Sequence, residues 1–377
     1  MASSPPSWLI LHKATRVSAH QGEGFSVTSA SPPLISRLNV SAAQLQAAGN
    51  PPRVLAADLS AGLFLLRGPG NSRDYTVLAA ANPNCTYRVP APACSGRRLA
   101  STVGVIGGPG GIFMVVGFES RIGRPKALLH CYWQGAANWA SKQVDNPDPG
   151  RAWEPFDDVI AHAGRIWWVC TGADKGASGL LSCDPFAGAD DTEMVFSTSP
   201  ELRKFCTRSH CSPVRHVARR CVQVAGGKLR WVQIVCHHVE HDEPSRGRGG
   251  PPTVLMLTLD HPTAEWRRSD DHHRMSFGDI WDKDIYSTQA PALALVDPTD
   301  PSVVYFSHGG DLVGVDMRAK EMLWRLRHEI PDSDDVASSS LLAWVLPPAL
   351  RQPPAPISDA EDKILIKSKI EVGIRKQ

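Results

Sequence analysis

Runs of about four to eight apolar, β-branched and aromatic residues recur along the whole chain, each bounded by Gly, Pro, Asn or Asp, the pattern of short strands cut by turns. The clearest predicted strands are Trp8 to Leu11, Gly62 to Leu66, Tyr75 to Ala79, Ile112 to Val116, Leu128 to Trp133, Ile166 to Cys170, Leu229 to Val235, Val254 to Leu259, Ala292 to Val296, Val303 to Phe306 and Leu312 to Val315. Their close spacing predicts hairpins rather than strand-helix-strand units. Long windows free of Gly and Pro are few outside Ser41 to Ala48 and Ser358 to Ile370, so helix is expected to be minor.

Within that pattern lies a loose internal repeat, in which one or two glycines open an apolar strand whose residues alternate faces. Gly111 to Val116, Gly164 to Val169, Gly227 to Val232 and Gly310 to Val315 share it, at irregular intervals. Between them come hairpins that end on tryptophan: Leu128 to Trp133 turns back to Trp139, and Val254 to Leu259 turns through Asp260-His261-Pro262 to Trp266. A glycine-led inner strand followed by a hairpin with an outer aromatic is the sequence form of a propeller blade of about 50 residues. Small antiparallel sheets bury their faces only against one another, so such an array must be radial and closed to leave no bare edge. The predicted fold class is therefore all-β, a propeller-like array of small antiparallel sheets, with an irregular β-sandwich as the alternative.

Composition supports this reading. Gly 31 and Pro 31 make up about a sixth of the 377 residues, above the roughly 12% average but short of a disordered composition. A net charge of +2 from 40 basic and 38 acidic side chains gives no global field that would argue for nucleic acid or an anionic membrane. The longest apolar stretch, Val103 to Val116, contains five glycines and a proline and falls short of the roughly 20 residues a membrane helix needs. No secretory signal is expected, since Trp8-Leu9-Ile10-Leu11 is followed at once by His12 and Lys13. The absence of an acidic residue before Glu23 faintly suits a plastid transit peptide, but Trp8 to Val17 reads better as a first strand. Nine cysteines, odd in number and without small-domain spacing, fit reduced thiols in cytoplasm or nucleus, and the sequons at Asn39 and Asn84 then read as chance matches.

The expected organisation is a disordered N-terminus at 1–6, one β-rich domain at 7–346, and a Pro-rich linker with a charged tail at 347–377. An insert at about 197–250 interrupts the domain. From Ser197 to Gly250 there are ten Lys or Arg against four Asp or Glu, with five His and four Cys, around the strand at Leu229.

Several segments taken in order resemble the grass-expanded plant family known as domain of unknown function 1618. They are Ser7 to Leu11, Arg53 to Asp58 with Gly62 to Leu66, His162 to Val169 with Gly179 to Phe186, Gly278 to Trp281, Leu293 to Pro298 with Pro301 to Phe306, and Gly314 to Arg318. The resemblance spans about residues 7 to 350 and implies no activity and no catalytic residues. Some relatives look similar to the propeller-like domains found behind F-boxes, which implies a recognition module; no F-box-like helical stretch precedes the first strand here.

The chemistry-bearing candidates each have a plain structural reading beside the functional one. Cys206, His210, Cys211, Cys236, His237, His238 and His241 supply soft and borderline donors from two loops, which suits zinc, although neither half has a tight Cys-x2-Cys or His-x3-His spacing; a histidine-bearing solvated loop is the simpler reading. Arg215, Arg219, Arg220, Arg246 and Arg248 are interaction candidates for an acidic partner or phosphates, but no base-reading motif accompanies them, so nucleic acid is not the expected partner. Trp167, Trp168, Trp231, Trp281 and Trp324 are expected to pack between sheets rather than form a ligand wall. Trp167 and Trp168 must face opposite ways on a strand. His162 and Asp184 are an acid-base couple or, more simply, a half-buried His and a turn-capping Asp. No nucleophile elbow, phosphate loop, His-Glu-x-x-His or dinucleotide fingerprint occurs. The reading is a soluble, intracellular, non-catalytic module that binds another protein and needs no cofactor; the alternative is a metal-assisted hydrolase or lyase using the His/Cys-rich insert.

Overall fold

The computed structural model describes residues 7–18, 25–28, 32, 34–41, 52–67, 74–82, 86–92, 102–153, 156–170, 178–188, 191–203, 220–235, 251–260, 265–268, 274–282, 291–327 and 341–346. Among them the chain forms strands and a few single turns of 3-10 helix. The first strands are β1 (Trp8–Ser18), β2 (Phe25–Thr28) and β3 (Ile35–Ser41). Four-stranded meanders follow: β4 (Val54–Asp58), β5 (Leu63–Arg67), β6 (Tyr75–Ala79) and β7 (Thr86–Val89); then β8 (Val103–Gly107), β9 (Phe113–Glu119), β10 (Lys126–Trp133) and β11 (Ala140–Asp145). The next is β12 (Asp158–His162), β13 (Arg165–Cys170), β14 (Gly179–Cys183) and β15 (Val195–Thr198). A fifth unit contains β16 (Arg220–Ala225), β17 (Lys228–Val235), β18 (Thr253–Asp260) and β19 (Glu265–Arg268), with β20 (Arg274–Ser276) also paired to β18. The last meander is β21 (Ala292–Val296), β22 (Val303–His308), β23 (Asp311–Asp316) and β24 (Glu321–Arg327).

The ends of the chain close the array. The last described strand, β25 (Leu341–Val345), pairs antiparallel with β1, from Trp8 opposite Val345 to His12 opposite Leu341, and completes a sheet of order β25-β1-β3-β2. Among the described residues that gives six units, five of four strands and one of five, two of which are joined into one eight-stranded sheet by a single parallel pairing, Ile160 with Ala57. Closing a ring with strands from both termini leaves no first or last unit with a bare face.

Packing follows the strand period of two, which sends consecutive residues into different layers. Leu9 and Leu11 pack with Val54, Phe64 and Leu66 of the second unit, while Trp8 and Ile10 pack with Leu295, Tyr305 and Leu312 of the last. Trp168 joins a layer with Phe118 and Phe156, and its neighbour Trp167 joins Leu229, Trp231 and Leu257 of the fifth unit. Val232 and Ile234 then meet Val304 and Phe306 of the sixth. Each sheet thus packs against the unit before it and the unit after it, the second to fourth units through one continuous cluster, until the sixth meets the first. A sandwich would hold one core between two sheets; this ring holds a chain of cores.

The glycine-led strands take a different place from the one the repeat suggests. Those after Gly111, Gly164 and Gly227 are the second strands of their units, and the one after Gly310 is a third strand. The glycines belong to hairpin turns: Gly226 (φ 58°) and Gly227 (φ 70°) both lie in the left-handed region, as the two-residue turn between β16 and β17 requires. The strands that meet around the axis are those that lead each unit. β4 touches β8 and β12, β16 touches β21, and β21 touches β25. Part of the expected insert is likewise structural, because Arg220–Ala225 is the leading strand of the fifth unit.

Candidate functional site: an open cavity on the ring axis

The leading strands do not fill the axis evenly. On one side β8 is drawn tightly between its neighbours, where an added Cβ on Gly104 would lie 2.5 Å from Ile166 Cδ1 and 2.6 Å from Val159 Cγ1. On the other side β4, β12, β16 and β25 stand apart around a cavity of about 390 Å3. Most of its wall is apolar, from Ala56, Ala57, Val159, Ala161, Val222 and Ala343. Leu59, Ser60, His162, Val345 and Leu346 line it where the leading strands end, and Val345 there is 40% exposed.

Lys13 and Asp158 lie where the leading strands begin. A register shift in β1 between His12 and Arg16 breaks its ladder with β3, and Thr15 instead donates from its backbone N–H and its hydroxyl to Pro52 O, at 3.2 and 2.7 Å. Such a bulge re-aims side chains, and this one puts Lys13 into the cavity wall. The Lys13 ammonium donates to both carboxylate oxygens of Asp158, at 3.2 and 3.0 Å, with the lysine only 4% exposed. Asp158 Oδ1 also accepts from Val159 N at 3.0 Å. Gln223, on β16, accepts from Val296 N through Oε1 at 2.9 Å, which ties β16 to β21.

Asp58 at the end of β4 holds the neighbouring rim. Its Oδ1 accepts from the backbone and hydroxyl of Ser60 and from Ala61 N, and its Oδ2 accepts from Gly107 N at 2.9 Å. Asp297 repeats the arrangement at the end of β21, accepting from Thr299, Asp300 and the Tyr305 hydroxyl; burial and this carboxylate push the Tyr305 phenol far up.

The residues singled out from the sequence fall into three groups. His162 lines the cavity, but Asp184 does not; its carboxylate accepts from Phe186 N at 2.8 Å and caps that turn, so the cavity does not bring the couple together. Trp167, Trp168, Trp231 and Trp281 are buried between sheets, and Trp324 is partly buried against Tyr305. Arg220 is 9% exposed at the start of β16, with its guanidinium brought down to about 10 by burial against a weaker opposing pull from Asp157, so it does not belong to a solvated loop. Cys206, His210, Cys211, Cys236, His237, His238 and His241 lie outside the described residues, as do Arg215, Arg219, Arg246 and Arg248. Sequence reasoning missed Lys13 and Asp158 altogether. The described cysteines Cys131, Cys170, Cys183 and Cys221 are all buried, and burial pushes their thiols up to about 11, 12, 12 and 12. Such thiols are poor nucleophiles.

Strand order and the axial cavity together define a β-propeller-like protein with six small antiparallel units among its described residues. Residues 175–305, from just before β14 into β22, match the family described as "Protein of unknown function (DUF1618)", which shows over that segment the family resemblance read from the sequence. No curated protein matches the chain. Among solved structures, apo AztD from Citrobacter koseri is similar at 10% identity and a TM-score of 0.36, over 91% of this chain and 89% of that one. The WD40 domain of SCAP from fission yeast is similar at 10% identity and a TM-score of 0.36, over 85% and 55%. The GH93 α-L-arabinofuranosidase of Fusarium graminearum is similar at 12% identity and a TM-score of 0.34, over 80% and 81%. Likenesses of this size carry no argument about chemistry.

Proposed function

We propose that the protein is a non-catalytic interaction module of the cytoplasm or nucleus, which holds another protein on the rim where the leading strands end. The observation that carries this reading is the exposed apolar surface on that rim. Ile112 is 41% exposed at the start of β9, and Trp133 is 38% exposed at the end of β10, beside the turn containing Phe186. These positions belong to the third unit and sit at the same end of the ring as Ser60, His162 and Val345. Exposed aromatic and aliphatic side chains on a rigid scaffold are what binding hot spots are made of. The buried, protonated thiols and the Lys13–Asp158 pair fit the same reading, because they engage one another or the core rather than standing ready to attack a substrate.

Affinity capture with the full chain tests this. A discrete protein partner retained by the wild type, reduced about tenfold by Trp133→Ala or Ile112→Asp and unchanged by Met322→Ala on the outer strand β24, supports it. Hydrolysis of an ester or glycoside by the purified chain, abolished by His162→Ala or by His210→Ala, overturns it in favour of the hydrolase alternative.

A further inference from the structure

The cavity beneath that rim offers a chemistry of its own, independent of any protein partner. An ammonium has three N–H donors, and among the described residues Lys13 donates to one carboxylate, Asp158. Asp158 is partly open to the cavity, with 23% of its side chain exposed, and a carboxylate has about four acceptor sites, of which Lys13 and Val159 N take some. Gln223 commits only its Oε1, to Val296 N, which leaves its amide N–H groups for the cavity wall. The cavity wall, apolar over most of its extent, therefore keeps both donor and acceptor capacity at Lys13, Asp158 and Gln223.

Charge decides what fits there. The two members of the pair cancel, so the site presents no net positive field, and an anion drawn to Lys13 would meet Asp158 beside it in a low-dielectric wall. A cation would meet Lys13 in the same way. An uncharged hydroxyl or carbonyl avoids both repulsions: either can accept from Lys13 or Gln223, and a hydroxyl can also donate to Asp158. The volume of about 390 Å3 lies within the range of small-molecule pockets, whose walls are mainly apolar with a few placed polar groups. We infer that the axial cavity is a binding site for an uncharged, largely apolar small molecule carrying a hydroxyl or carbonyl group, which it turns toward Lys13, Asp158 and Gln223.

The probe for this is prodan, an uncharged naphthyl ketone whose fluorescence reports an apolar surrounding, titrated into the full-length chain. Saturable binding at one site with a blue-shifted emission is expected, together with at least tenfold weaker binding of the anion 2-naphthoate. Val345→Trp, at the exposed mouth, should abolish the prodan signal while leaving the circular dichroism and melting curve of the fold intact. Lys13→Met combined with Asp158→Asn, which strands no charge, should weaken prodan about tenfold, the worth of one good hydrogen bond. Absence of saturable binding to a folded chain, binding indifferent to Val345→Trp, or a preference for 2-naphthoate would each overturn the inference. None of these outcomes depends on whether a protein docks at Trp133.

Discussion

The two sides of the ring axis are built in opposite ways from similar strands. Around β8, glycine at 104 lets Ile166 and Val159 close on the backbone, and the core there runs without a break from the second unit to the fourth. Around β16 and β25 the leading strands stand off from β4 and β12 and leave an open space with a charged pair in its wall. A close-packed half fixes the ring, which allows the other half to stay hollow. Packing density of this kind is sensitive to a single methyl group, whereas a cavity wall is not.

Four perturbations test the contrast, in descending order of effect. Raising the pH acts mainly on the closed half, where Cys131, Cys170 and Cys183 sit in one core layer, against Cys221 in the other half. Their folded-state values of about 11, 12 and 12 lie above the ordinary 9.0, so the unfolded chain releases these protons first; stability is complete below about pH 9 and falls as pH climbs toward 11 to 12. Denaturant midpoints should drop with a slope on the order of 1.4 kcal/mol per pH unit for each thiol, and the thiols should resist iodoacetamide at pH 8 until the chain unfolds. Next, Gly104→Val should cost about 3 kcal/mol in urea unfolding, because Val159 and Ile166 have no room to give. Lys13→Met should cost about 2 kcal/mol, less than a fully buried pair since Asp158 is partly exposed, with much of the loss recovered by adding Asp158→Asn. Smallest is the outer pair of Lys126 and Asp145, 54% and 84% exposed at 2.7 Å; Lys126→Ala should shift stability by less than about 0.5 kcal/mol.

The same contrast explains what could be read from the sequence. The middle strands were plain, together with the leading strand β21: β6 and β21 have the predicted bounds, and β9, β10, β13, β17, β18, β22 and β23 differ from them by a residue or two at either end, up to three at β9. They are sandwiched between layers, so both faces are apolar and the run is continuous. The strands that lead the units, β4, β8, β12, β16 and β25, were not among the clearest ones. Ala56-Ala57-Asp58, Val103-Gly104 and Asp158-Val159 are small or polar where strands crowd toward the axis or face the cavity, and five residues are too few for a period of two to stand out. The glycines were legible as markers of repeated units, but Gly111, Gly164 and Gly227 mark the turn out of a leading strand and Gly310 the turn out of a second strand, none of them the start of a leading one. Of the site only His162 was singled out, and the charged pair was not legible, since Lys13 and Asp158 are 145 residues apart and come together only because a bulge in the first strand meets the fourth unit across the ring.

Closure is the claim on which cavity, rim and packing all depend, and amide hydrogen exchange on the full-length chain measures it most directly. If β25 and β1 seal the ring, amides of Leu341–Val345 and Leu9–Leu11 exchange together and as slowly as those of β13 and β17, through global unfolding only. Exchange of the 341–345 amides within seconds, while β13 and β17 stay protected, would mean that the terminal strands are not part of the ring, and the axial cavity as described would not exist.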